Sequence, residues 1–141
     1  MLRNSLLVSL TVACVLFTSE VDAQEFELLE ATIVDVHRAF ESGELTCVDL
    51  TSQYLERIQA YDATGPALNS IQLVNPNALQ DAASLDRQFG QSGLVGPLHC
   101  IPVLLKDQVE TRDMPTTYGS AVFDGFMSNR DATIVTRMRS A

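Results

Sequence analysis

The chain has 141 residues, of which 46% are hydrophobic and 19% charged, the composition of one ordinary globular domain rather than of a disordered, collagenous or coiled-coil chain. Its formal charge of −9 excludes the clustered cations that a phosphate backbone requires, so no nucleic-acid partner is expected. Most of the basic residues lie between Lys106 and Arg139, which leaves the acidic excess in the first two-thirds of the chain.

The N-terminus reads as a secretory signal peptide over residues 1–23. Met1 to Ser5 carries the cation Arg3, an apolar run follows from Leu6 to Phe17, and a polar stretch ends in Val21-Asp22-Ala23. The apolar run is well short of the roughly 20 residues needed to span a bilayer, so the leader is expected to be cleaved after Ala23. Residues 24–141 are then expected to be secreted, extracellular and free of the membrane. Cys14 leaves with the leader. Cys47 and Cys100 remain, either as a pair in an oxidising compartment or as two separate buried thiols; the sequence leaves both open.

Thr32-Ile33-Val34-Asp35 has capping-box spacing and opens a helix with Ile33, Val36 and Phe40 on one face, stopped by Ser42-Gly43. A second box, Thr46-Cys47-Val48-Asp49, starts a longer helix. Cys47, Leu50, Tyr54, Leu55, Ile58 and Tyr61 form its apolar stripe, and Gly65-Pro66 ends it. Leu68 to Val74 alternates as a half-covered strand would. Asn75 as cap and Pro76 at the first helical position predict a third helix with Leu79, Ala82, Ala83 and Phe89 inward and Gly90 at its end. Ile101-Pro102-Val103-Leu104-Leu105 is a continuous apolar run suited to a strand covered on both faces. Turns and loop follow from Asp107 to Ser128. A last helix is expected from Asp131 with Ile134, Val135 and Met138, and it reaches Ala141 without a stop signal.

Helices alternating with strands predict an α/β layered fold. Two strands are too few for a useful sheet, and the expectation is of an incomplete one.

Lys106 is the only lysine in the chain and stands beside Asp107 at the end of the most apolar predicted strand. A lysine there either emerges to pair with a carboxylate or is desolvated, and desolvation turns an ammonium into a usable proton acceptor. His37 and His99 are far apart in sequence, so no metal site and no cofactor are expected, and His99 reads as a structural histidine before an apolar strand. The glycines from Gly90 to Gly96 lack the spacing that cradles phosphate.

The run Gly96-Pro97-Leu98-His99-Cys100-Ile101-Pro102-Val103-Leu104-Leu105-Lys106-Asp107, continued by Asp113-Met114-Pro115-Thr116-Thr117-Tyr118-Gly119-Ser120, resembles the N-terminal half of the amidase signature family. The resemblance extends back through the Leu50-to-Ile58 helix and forward to Asp131-Ala132-Thr133-Ile134-Val135. It implies an α/β/α fold with a large mixed sheet, of which residues 24–141 would be the N-terminal part. It also implies hydrolysis of amide carbon-nitrogen bonds by a Ser-cisSer-Lys triad acting on a small-molecule amide, with Lys106 at the position of the lysine.

Both serines lie downstream of the lysine in that family, and the chain is expected to stop before them. Ser120 belongs to the Thr-Thr-x-Gly-Ser turn and reads as loop structure. Cys100 stands where glycine is usual and Gln108 where asparagine is usual. The competing expectation is a catalytically inactive secreted fragment or a binding protein.

Overall fold

A computed structural model describes residues 26–141, so the leader expected over residues 1–23 lies outside the described residues. Helix α1 runs over Ile33–Ser42 and helix α2 over Cys47–Arg57, and both capping boxes form as their spacing predicts. Thr32 accepts the Asp35 N–H and Thr46 that of Asp49, while each aspartate reaches back to the backbone of its threonine. Gly43 adopts the left-handed conformation that closes α1.

Helix α2 does not stop at Arg57. It widens into a π-helical turn over Ile58–Ala63, which Thr64 closes by donating its N–H and its hydroxyl to the Gln59 carbonyl. Helix α3 occupies Ala78–Ser92, later at both ends than expected. Asn75 does not cap it: the Asn75 side-chain carbonyl accepts the Asn77 N–H in a local turn that holds Pro76 outside the helix. Gly90 stays helical, and Gly93, at φ +74°, leaves the helix instead. Helix α4 spans Thr133–Arg139. Asp131 precedes it rather than starting it, because its carboxylate accepts the Arg112 N–H and pairs with the Arg139 guanidinium.

The core lies where α2 packs on α3 and α1 closes over them. Val36, Ala39, Phe40, Leu45, Cys47, Leu50, Ala82 and Cys100 are buried there, with Tyr54, Leu85, Phe89 and Ile101 against them. Three residues assigned to inner faces lie outside it: Ile33, Tyr61 and Leu79 are exposed, and Tyr61 instead stacks under the Arg57 guanidinium.

Neither expected strand forms among the described residues. A strand exists only as a hydrogen-bonded pair, and no backbone hydrogen bond among the described residues engages residues 102–105. The apolar run is there, but it has no partner. None of the described helices is long and apolar enough to cross a membrane.

Candidate active site

Lys106 lines an open groove of about 1050 Å³ whose walls come from α2, the π-helical turn, residues 71–75 and residues 102–109. Tyr54, Ile58, Ile71 and Val103 make the groove mainly apolar. The Lys106 side chain is exposed, so the covered strand end expected to desolvate it is not formed by the described residues.

The backbone just after Lys106 is held tightly. The Asp107 carboxylate accepts the Thr117 hydroxyl, the Thr117 N–H at 3.1 Å and the Gly119 N–H at 3.2 Å, while the Thr116 hydroxyl donates to the Asp107 carbonyl. The Val109 N–H closes a turn on the Lys106 carbonyl at 2.8 Å. Asp107 therefore ties the lysine segment to the Thr116–Gly119 turn. The Thr117 hydroxyl and N–H, with a smaller contribution from the Lys106 charge, hold the Asp107 carboxyl below the usual carboxylate range.

From within that turn, Tyr118 donates to Glu110, which also pairs with Arg130. The Arg130 and Tyr118 hydrogen bonds lower the Glu110 carboxyl, and the same carboxylate raises the Tyr118 phenol. Ser120 accepts the Val122 N–H at 3.3 Å, capping the short 3₁₀ turn Ala121–Phe123, and thus serves the loop as read from its motif.

The histidines separated in sequence meet in space. The His37 Nε2–H donates to the His99 carbonyl at 3.1 Å. His99 is buried between Phe40 and Phe89, with its Nε2 3.7 Å from the Cys47 sulfur, and its burial lowers its pKa. The His99 Nδ1 is buried without a protein partner. Cys47, His99 and Cys100 thus bring two sulfurs and an imidazole nitrogen within 4.8 Å of one another, a cluster that linear spacing does not reveal. The two sulfurs are joined as a disulfide with the Cα atoms 5.5 Å apart, which ties up the thiolates a metal would need. Of the two states the sequence left open, the structure adopts the paired one. Cys100, standing where glycine is usual, has φ +59°.

A family model described as Amidase matches residues 49–141. The chain belongs to the amidase family. Its lysine segment, the Asp107-bound turn and the groove between them all lie within the matched residues. The chain is 36% identical over 115 residues to the glutamyl-tRNA(Gln) amidotransferase A-subunit of Thermobifida fusca, covering 82% of this chain and 23% of that protein. It is 39% identical over 114 residues to the chloroplastic/mitochondrial counterpart of Zea mays, covering 79% of this chain and 20% of that one.

Among solved structures, native peptide amidase from Stenotrophomonas maltophilia superposes with a TM-score of 0.77 at 42% identity, covering 82% of this chain and 23% of that chain. An amidase family protein from Bacillus anthracis gives 0.75 at 39% identity, again covering 82% and 23%. The chain spans a quarter or less of the length of these relatives.

Proposed function

We propose that this chain is the lysine-bearing N-terminal part of an enzyme that hydrolyses amide carbon-nitrogen bonds, with Lys106 as the base of a Ser-cisSer-Lys triad. The observation that carries the reading is the placement of the only lysine on an open apolar groove, within the residues that match the amidase family. In the complete enzyme the neutral lysine takes a proton through the bridging serine, and the second serine attacks the amide carbonyl. Backbone N–H groups stabilise the tetrahedral oxyanion, the amine leaves, and water releases the acid.

The same reading accounts for the uncovered apolar surface. Leu68, Leu73, Val103 and Leu104 are exposed along or beside the groove. We assign their cover to the rest of an α/β/α fold, in which residues 101–105 gain the neighbouring strand they lack. Covering the groove would also desolvate Lys106. Residues 24–141 alone carry the lysine without the family's two serines, and are proposed to be inactive. The substrate class is a small-molecule amide, and residues 1–23 are proposed to direct export.

The test is turnover of a panel of primary amides and C-terminally amidated peptides by the protein extended to include the downstream serines. Lys106→Ala is expected to lower kcat at least 1000-fold, on the order of a lost triad member. Lys106→Arg, which keeps the charge but cannot deliver a free base, is expected not to restore it. Unchanged turnover in Lys106→Ala would remove the lysine from the mechanism, and binding without turnover by the extended protein would favour a binding role.

A further inference from the structure

The segment that carries Lys106 is suspended between two anchors. At its far end Asp107 is bound into the Thr116–Gly119 turn. At its near end Cys100 is bonded to Cys47, the first residue of α2. Between them, no backbone hydrogen bond among the described residues engages residues 102–105, and Val103 and Leu104 are exposed. Ile101 is the last residue of the segment packed against the core.

The near anchor also carries a backbone conformation that its side chain disfavours. Cys100 has φ +59°, in the left-handed region where a Cβ is crowded and glycine is preferred. A residue without a tether relaxes out of that region unless its surroundings over-determine it. Here the surroundings are two: the covalent bond, and the turn that the Ile101 N–H closes on the Leu98 carbonyl at 3.1 Å with Cys100 as its third residue.

We propose that the Cys47–Cys100 disulfide is a positioning device, holding Cys100 left-handed so that the Lys106 segment leaves α2 on a fixed path, and that reduction by a small thiol releases the segment. The reduction balances as ordinary thiol exchange. A thiolate attacks the sulfur of Cys100, the less buried residue of the two, and expels Cys47 as a thiolate that takes up a proton. A second thiol then resolves the mixed disulfide, leaving two cysteine thiols and one reagent disulfide.

The importance of the segment rests on the reading of Lys106 given above, but the device does not depend on it. If Lys106→Ala leaves turnover intact in the extended enzyme, the catalytic reading fails and the positioning result stands.

The experiment is amide hydrogen exchange on the purified oxidised chain, on the same chain treated with dithiothreitol, and on two double variants, C47A/C100S and C47A/C100G. Exchange of the Ile101 amide, whose hydrogen bond to the Leu98 carbonyl closes the turn around Cys100, is expected to rise at least tenfold in the reduced chain and in C47A/C100S. Glycine takes up the left-handed conformation without a tether, so C47A/C100G is expected to recover at least half of that protection. A bond that merely staples the whole domain would leave the two double variants alike. Equal exchange of Ile101 in both double variants, whether slow or fast, overturns the proposal, as does unchanged exchange of Ile101 on reduction.

Discussion

The Asp86 carboxylate of α3 accepts the Cys47 N–H at 2.7 Å and the Val48 N–H at 3.1 Å, the first two N–H groups of α2. Thr46 accepts the next one, from Asp49, and Asp49 accepts the N–H of Thr46 itself. All four unpaired donors at that helix start are therefore satisfied, two by its own capping box and two by a neighbouring helix. Asp86→Ala is expected to cost about 1–2 kcal/mol of stability, typical of a lost cap that also serves a helix dipole. Chemical denaturation of the two proteins side by side measures it, and equal midpoints would show that water replaces the carboxylate at no cost.

The local boxes make an independent prediction. Thr32→Ala and Thr46→Ala each remove one acceptor, and each is expected to cost about 1 kcal/mol. The helix starts share no partner, so the double variant is expected to lose the sum within about 0.5 kcal/mol. A calorimetric comparison of singles and double checks both the size and the additivity.

Gly65 has φ +52°, and a Cβ there would sit 2.5 Å from the Ala60 carbonyl oxygen. That oxygen is backbone in the π-helical turn and cannot swing aside. Gly65→Ala is expected to destabilise the protein by more than about 1 kcal/mol and to shift hydrogen exchange first in residues 58–64. Gly90→Ala meets no neighbouring atom within a helical stretch and is expected to be neutral or stabilising by up to about 1 kcal/mol.

Two acid-sensitive steps are expected, at different pH. His99 is lowered by burial, so the unfolded chain takes up its proton first; its contribution is complete above the unfolded value of about 6.5 and is lost as pH falls below it. His99→Phe, which keeps an aromatic ring between Phe40 and Phe89, is expected to flatten the stability profile between pH 7 and pH 5.

Asp62 and Asp107 are lowered mainly by the Ser70 and Thr117 hydroxyls. Their contribution is present above the ordinary carboxylate value of about 4 and is lost as pH falls through their depressed values. Asp107→Asn is expected to blunt only that lower step. A profile whose upper step survives His99→Phe would assign it to another group.

Much of the local structure was legible in the sequence because its causes are local. Both capping boxes, the Gly43 stop and the helical role of Leu50 follow from interactions three or four residues apart. Boundaries failed where a side chain had a different use: Asn75 closes a turn on Asn77, and Asp131 serves Arg112 and Arg139. The strands failed for a different reason, since Ile101 to Leu105 has the composition of a strand but strand pairing is a relation between segments.

What the sequence determined by itself was the family, the placement of Lys106 beside Asp107, and the starts of α1 and α2, each written in short-range residue order. Only the tertiary structure decided that Cys47 pairs with Cys100, that His37 meets His99, and that Asp86 caps α2. Those partners lie 53, 62 and 39 residues apart, and nothing in the spacing of either member encodes the other. They meet because burying Leu50, Phe40 and Ala82 in one core packs α1, α2 and α3 together, and that packing carries the polar groups at the helix ends into contact.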